Sequence, residues 1–187
     1  MKGDATVLLV EGEREVAARY ARFLDGHAVR TVSTVERAIE TIDRGVDVVL
    51  LGRRPSHGSG AKVLEAIRTR RLGCRVAVVT VDAPDRDLVP MGFDGHVVRP
   101  VARADLRRVV ERLLDRGAFD SKLRESAALV RERALLEARR GERGPARDEA
   151  RADLTRRIEG LQDEIDALAR NFGPADYRAA FRDIGRG

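Results

Sequence analysis

Three short runs of apolar residues constrain the fold of this chain more than any other feature. They occupy residues 7–10 (VLLV), 46–51 (VDVVLL) and 76–79 (VAVV). A strand that is buried on both faces shows such a nearly unbroken apolar run, whereas a strand with one exposed face alternates apolar and polar residues. The three runs therefore predict the central strands of a parallel sheet that is covered by helices on both sides.

Two weaker strand patterns at residues 29–32 and 96–98 raise the predicted number of strands to five. Amphipathic stretches follow the strands. Their apolar faces contain three groups of residues: Val16, Tyr20, Phe23 and Leu24; Val63, Leu64 and Ile67; and Leu106, Val109, Val110, Leu113 and Leu114. Five strands, each followed by a helix, predict an α/β fold with a doubly wound (βα)5 parallel sheet over residues 1–116. In such a sheet the functional crevice lies at the carboxyl ends of the strands.

Residues 117–187 form a second predicted region, because the strand pattern stops after Gly117. The patterns at residues 119–140 and 146–172 are typical of helices, and a Gly-Glu-Arg-Gly-Pro segment at 141–145 separates them. The second helix carries apolar residues at alternating spacings of four and three, namely Leu154, Ile158, Leu161, Ile165, Leu168 and Phe172. Such a heptad seam has to be buried against another helix.

The sequence leaves two partners open for this seam. The first helix of the region offers apolar residues at the same spacing: Leu123, Ala127, Val130 and Ala134. The seam therefore predicts an antiparallel hairpin within the chain, dimerisation, or both together. A last short helix is expected over residues 174–184. Four aromatic residues should form a small core at the end of the hairpin: Phe119, Phe172, Tyr177 and Phe181.

Four segments of the first region, in order, resemble the motifs of response-regulator receiver domains. They are VLLVEGEREVAARYARFL from residue 7, DVVLLGRRPSHGSGAKVLEAIR from residue 47, VAVVT from residue 76 and MGFDGHVVRPV from residue 91. The tail, with FGPADYRAAFRDIG from residue 172, is similar to the HalX domain that follows receivers in haloarchaea, which is also catalogued as a HoxA-like transcriptional-regulator domain. The resemblance implies a flavodoxin-like fold and a place in two-component phosphorelay signalling, with a histidine kinase or another signalling protein as partner.

Receiver chemistry, as the resemblance implies it, needs a phosphoacceptor Asp at the end of the third strand and carboxylates that hold Mg²⁺. This sequence departs from that pattern. The phosphoacceptor position falls on Gly52, and the acidic pair falls on Glu11 and Gly12, with Glu13 one residue farther along. We therefore predict that Mg²⁺ binding and phosphorylation on Asp are lost, and no other cofactor or metal is expected.

The remaining motif positions are only partly kept. The phosphate-contacting Lys is replaced by Arg99, the Thr is retained as Thr80, and His96 occupies the switch-aromatic position. The resemblance also implies a cis peptide bond before Pro100. Arg99 and the arginines at 53 and 54 are expected to border the former acidic pocket, where they could pair with Glu11 and Glu13 and lock the crevice without metal. The alternative for the arginines at 53 and 54 is that they face the solvent.

Composition narrows the class of function further. The chain has 36 basic and 31 acidic residues, 33 of the basic ones being arginine, yet no block of like charge stands out. A diffuse net charge of +5 is weak support for nucleic-acid binding, and no helix-turn-helix pattern is present. Ser56 next to His57 is far more typical of loop composition than of catalysis, and three scattered histidines with one cysteine predict no zinc site.

These observations predict a non-enzymatic, cytoplasmic signalling protein that has no membrane segment. Its output is expected to be protein–protein contact, with homodimerisation through the C-terminal helices. A transcriptional regulator that binds DNA through the HalX region is the alternative.

Overall fold

The computed structural model describes residues 5–52, 60–81, 92–138, 144–174 and 176–177. The chain divides into two compact units, Met1–Gly117 and Ala118–Gly187, where the sequence pattern predicted 1–116 and 117–187. Within the described residues, no helix is long and apolar enough to cross a membrane.

A five-stranded parallel sheet forms the centre of the first unit. Its strands are β1 (Thr6–Val10), β2 (Ala28–Val32), β3 (Val48–Gly52), β4 (Arg75–Thr80) and β5 (Gly95–Val98). They lie in the order β2-β1-β3-β4-β5, and every neighbouring pair is parallel. From β1 the chain adds β2 on one side and then β3, β4 and β5 on the other side, as it does in doubly wound sheets. The predicted fold class is confirmed.

The three apolar runs lie where their composition predicted. All residues of β3 are buried, and β1 is buried from Val7 to Val10. Helices α2 (Val35–Thr41) and α3 (Gly60–Thr69) cover one face of the sheet, whereas α1 (Arg14–Phe23) and the start of α4 (Arg103–Ala138) cover the other. Because β1 and β3 bury side chains on both faces, neither strand could alternate with polar residues. The helix expected between β4 and β5 lies outside the described residues.

Helix α4 differs from the sequence-based expectation. The apolar stripe ending at Leu114 and the segment starting at residue 119 predicted separate helices, but the structure has one helix of 36 residues. Gly117 does not interrupt it, because a single internal glycine costs a helix only about 1 kcal/mol relative to alanine. The boundary between the two units falls within this helix.

An antiparallel hairpin forms the second unit. Helix α5 (Pro145–Ala169) begins at a proline, which suits the first turn of a helix because proline has no N–H to satisfy there. Lys122 forms an ion pair with Glu164. Lys122 lies near the start of the portion of α4 that belongs to the second unit, and Glu164 lies near the end of α5. At the other end of the hairpin, Arg147 donates a hydrogen bond to the Leu136 carbonyl. The intrachain alternative for the α5 seam is therefore present.

The face of α4 that receives the seam is not the predicted one. Leu154, Ile158 and Leu161 are buried against two other leucines of α4, Leu129 and Leu136. The predicted partner residues lie on another face of α4 and, apart from the half-buried Leu123, are exposed: Leu123, Ala127, Val130 and Ala134. Sequence spacing could not separate the two faces, because Leu129 and Leu136, seven residues apart, fit a heptad repeat as well as the predicted residues do.

Aromatic side chains cluster at one end of the hairpin. The rings of Phe119 and Phe172 are 5.0 Å apart, and the Tyr177 ring meets Phe172 edge-on at 5.8 Å. The buried Asp176 stabilises the turn before Tyr177, because its carboxylate accepts a hydrogen bond from the Gly173 N–H at 2.9 Å. The predicted aromatic core is thus found for three members, whereas Phe181 lies outside the described residues.

A buried ionic cluster lies at the amino-terminal edge of the sheet. The Asp94 carboxylate is 3.3 Å from both the Arg75 and the Arg116 guanidinium groups, and it also accepts the Val76 N–H at 2.8 Å. The Asp94 side chain is fully buried, and the two arginine side chains are 7% and 4% exposed. Removing one partner of such a group leaves a buried charge without compensation.

We therefore expect Asp94→Ala to lower the free energy of unfolding by about 3–5 kcal/mol, because both guanidinium groups would stay buried beside an apolar methyl. Urea denaturation measures this loss. Glu40→Ala is the matched control, since it removes an acid from the exposed Arg37–Glu40 pair, which is worth at most about 1 kcal/mol. Equal losses of unfolding free energy in the two variants would contradict the assignment of Asp94 and its two arginines as a buried ionic cluster.

Candidate functional site

The carboxyl ends of the strands bring four of the predicted residues to one edge of the sheet. Glu11 follows β1, Gly52 ends β3, Thr80 ends β4 and Arg99 follows β5. Their convergence is a consequence of parallel pairing, since all four strands end on the same side. The backbone ties two of these ends together, because the Arg99 N–H donates to the Thr80 carbonyl at 2.7 Å.

An ion pair between Arg99 and Glu11 occupies the centre of this edge. The Arg99 Nη2 atom lies 2.5 Å from Glu11 Oε2, and the Glu11 side chain is only 4% exposed. The other carboxylate oxygen, Oε1, accepts a hydrogen bond from the Glu13 backbone N–H at 3.2 Å. Both oxygens of the Glu11 carboxylate are therefore already engaged by donors from the chain itself.

Glu13 contacts the same arginine from the solvent side. Its carboxylate lies 3.6 Å from the Arg99 Nη1 atom and its side chain is 70% exposed. A planar guanidinium presents donors in two directions, so Arg99 reaches both carboxylates at once, which a single ammonium group does less well. The pairing expected for Arg99 is present in the structure. The arginines at 53 and 54 lie outside the described residues.

Gly52 faces the same carboxylate at close range. A Cβ atom added at this glycine would lie 2.7 Å from Glu11 Oε2 and 3.0 Å from the Val10 carbonyl oxygen. The first atom belongs to a side chain held by Arg99, and the second to the backbone of β1, so neither is free to move away. The space that a side chain at position 52 needs is thus already filled by the carboxylate of Glu11.

The remaining predicted positions contribute less to this edge. Gly12 brings no side chain, Thr80 is half-buried, and His96 lies in β5 with an exposed side chain. The peptide bond between Arg99 and Pro100 is cis, as the resemblance implied. Sequence reasoning did not foresee the contact between Glu11 and position 52, and no pattern signals it, because it depends on the spacing of two neighbouring backbones.

The acids in the described part of this edge are already paired with an arginine, which is consistent with the predicted loss of Mg²⁺ binding. Mg²⁺ requires a near-octahedral shell of oxygen ligands, with carboxylates that are free to turn toward it. Within the described part of this edge the carboxylates are those of Glu11 and Glu13, and Arg99 contacts both.

The single cysteine does not supply a nucleophile. Cys74 is buried just before β4, at the opposite edge of the sheet from Arg99. Burial raises the pKa of the Cys74 thiol to about 11, so the thiolate is a minor species at neutral pH.

Comparison with solved structures relates the first unit to receiver domains. The signal receiver domain of a LuxO repressor-type protein from Vibrio parahaemolyticus superposes with a TM-score of 0.56 at 23% identity, covering 61% of this chain and 92% of that one. A two-component response regulator from Clostridium difficile gives a TM-score of 0.54 at 21% identity, covering 59% and 96%. Residues 115–181 match the HalX domain family.

The chain combines a receiver fold with a HalX domain. A Haloferax volcanii protein whose name describes a transcriptional regulator is 41% identical over 172 residues, which are 90% of this chain. The chain spans only 29% of the length of that relative. The predicted resemblance is confirmed for the fold, which is that of receiver domains, and for residues 115–181, which match the HalX domain family.

The crowding at Gly52 can be tested by adding one methyl group. We expect Gly52→Ala to lower the free energy of unfolding by about 1–3 kcal/mol, because the new Cβ displaces either Glu11 or the backbone of β1. Urea denaturation provides the measurement.

Gly95→Ala is the matched control for this test. A Cβ at Gly95, which lies in β5 of the same sheet, meets nothing closer than 3.7 Å, so its stability should change little. If Gly52→Ala proved as stable as Gly95→Ala, the Glu11 carboxylate would be free to leave its place and the crowding argument would be wrong.

Proposed function

We propose that this chain is a pseudo-receiver, a response-regulator-like protein that signals by protein–protein contact and is not phosphorylated on Asp. The single observation that carries this proposal is the Arg99–Glu11 ion pair, whose carboxylate lies where a side chain at position 52 would have to project. An aspartyl phosphate needs a carboxylate at that position and a metal beside it. Here Gly52 has no side chain that could act as a nucleophile. Arg99 is paired with the Glu11 carboxylate, which a metal would otherwise bind.

The same ion pair bears on how the receiver unit would respond to input. A receiver switches because phosphorylation and metal binding favour one of two conformations, and a ligand shifts such an equilibrium only through differential affinity. With Arg99 bound to Glu11 and Glu13, the charge that Mg²⁺ would neutralise is already compensated within the chain. We therefore infer a unit held in one conformation, whose input comes from a binding partner such as a histidine kinase.

Treatment with acetyl phosphate and Mg²⁺, followed by intact-mass measurement, tests the proposal. We expect no added phosphoryl group, and no change in melting temperature with Mg²⁺ or beryllofluoride, because the nucleophile is absent and the remaining acids are paired. A receiver with an intact phosphoacceptor Asp, treated in the same mixture, is the positive control.

Gly52→Asp extends this test. Restoring the carboxylate alone should restore little phosphorylation, since Gly12 still offers no metal ligand and Glu11 crowds the new side chain. A phosphoryl adduct on the unmodified chain would overturn the pseudo-receiver proposal.

DNA binding is a second candidate function, favoured by the name of the Haloferax volcanii relative. The charge of the HalX region argues against it, because residues 117–187 contain 15 basic and 14 acidic residues. Phosphate contacts require an excess of cations on one surface. A gel-shift assay at low and at high salt decides the matter, and a shift that persists only at low salt would indicate nonspecific binding.

A further inference from the structure

Helix α3 ends in a backbone conformation that glycine normally provides. The Leu72 N–H donates to the Ile67 carbonyl at 3.0 Å. The Arg71 N–H donates to the Arg68 carbonyl, also at 3.0 Å. This pair of hydrogen bonds is the Schellman motif, in which the residue just past the helix takes a left-handed conformation. Arg71 occupies that position with a φ of 53°, and among the described residues it is the only one other than glycine with a positive φ.

An arginine at this position is unfavourable for the backbone. A residue with a Cβ atom disfavours the left-handed region, whereas glycine adopts it freely. At the other described positions with a positive φ the chain has glycine, namely Gly26 after α1 and Gly92 before β5. When a residue other than glycine is kept in such a conformation, its side chain is a candidate for a functional role.

The Arg71 guanidinium makes no polar contact within the described part of the chain. It is exposed and forms no ion pair or hydrogen bond with any described residue. The two other arginines at the end of α3 are used within the fold. Arg70 donates to the Ile39 carbonyl of α2 at 2.7 Å, and Arg68 donates to the Gly92 carbonyl at 2.9 Å. Arg71 is therefore the arginine of this helix end that is available to a partner.

A second exposed arginine lies in the neighbouring loop. Arg44 belongs to the loop before β3, and its guanidinium likewise contacts no acid among the described residues. The loops before β3 and β4 are held side by side, because the Arg75 N–H donates to the Asp47 carbonyl at 2.9 Å. Arg44 and Arg71 thus lie in adjacent loops at the amino-terminal edge of the sheet. We call this surface, defined by Arg44 and Arg71, the arginine edge.

The acids near the arginine edge are already engaged within the chain. Asp43 accepts the Gly45 N–H at 2.7 Å and forms an ion pair with Arg30 at 3.1 Å. Asp47 accepts the Thr6 N–H at 2.8 Å. The two guanidinium groups of the arginine edge therefore carry positive charge that no described acid compensates, and such a surface attracts anionic groups.

We propose that the arginine edge docks an acidic segment of a partner protein, in which two carboxylates reach Arg44 and Arg71. A guanidinium presents paired donors that match a carboxylate in geometry and charge. Two available guanidinium groups suit a short acidic segment, whereas binding of a nucleic acid depends on a longer series of phosphate contacts. The inference rests on the proposed function, since it gives the chain a surface through which a partner provides input.

Fluorescence anisotropy with a labelled hexaglutamate peptide tests the docking on the full chain. We expect binding at low ionic strength that weakens as salt is added. Arg71→Gly and Arg44→Gln should each weaken binding about fivefold, because each removes one exposed charge-assisted contact.

Arg14→Gln is the matched control for the loss of one charge. Arg14 is an exposed arginine without a described ion pair, and it lies at the start of α1, at the opposite edge of the sheet. Because salt screens its charge over that distance, this variant should change the affinity by less than about twofold.

The stability of Arg71→Gly separates docking from a structural role. Glycine relieves the left-handed conformation at the end of α3, so the melting temperature should rise by about 2–4 °C while peptide binding falls. Circular dichroism provides the melting curves. A variant that is more stable and binds less cannot have lost its affinity through misfolding.

Four results would overturn the proposal. They are no binding of hexaglutamate at low ionic strength; equal weakening by Arg14→Gln, which would show diffuse attraction to the whole chain; tighter binding of a short DNA duplex that also depends on Arg44 and Arg71, which would assign the surface to nucleic acid; and a lower melting temperature for Arg71→Gly, which would show that the side chain stabilises the helix end. An added phosphoryl group in the intact-mass experiment would refute the pseudo-receiver and leave the arginine edge standing.

Discussion

The ion pair between Arg99 and Glu11 is the interaction on which the chemistry of the receiver unit depends. It joins the end of β5 to the end of β1 across the carboxyl edge of the sheet, and it engages a carboxylate that is almost completely buried. A buried carboxylate without a cation would be strongly unfavourable, so Glu11 and Arg99 depend on each other. The same pair makes glycine the residue that fits at position 52, because the carboxylate lies 2.7 Å from the place of a Cβ atom there.

The sheet was predictable from the sequence, because a strand buried on both faces cannot avoid showing an unbroken apolar run. The positions of Glu11, Gly52 and Arg99 at one edge followed from parallel pairing. The crowding between Glu11 and Gly52 did not, since it depends on the separation of two backbones. Likewise, the cluster of Arg75, Asp94 and Arg116 left no pattern, because its members come from three elements far apart in sequence.

Helix α4 shows a different limit of sequence reasoning. Its residues at 123, 127, 130 and 134 and those at 129 and 136 both lie at heptad positions, so spacing gave no preference between two faces. Side-chain volume decides the outcome, because leucines bury more apolar surface against α5 than the alanines of the other stripe would. The weaker apolar face is then left exposed, and with it Val130.

A receiver fold with glycine at position 52 still supplies surfaces that the parallel sheet holds in fixed register. Phosphorylation can bias a conformational equilibrium only if the phosphoryl group binds the two states differently, and position 52 offers nothing for it to bind. Regaining phosphorylation as an input would require three changes: a carboxylate at position 52, a second acid at position 12 and release of Glu11 from Arg99. Introducing only the carboxylate at position 52 is opposed sterically, because Glu11 fills the space that its side chain needs. No single substitution supplies all three changes, which is why the proposed pseudo-receiver is expected to take its input from contacts with other proteins.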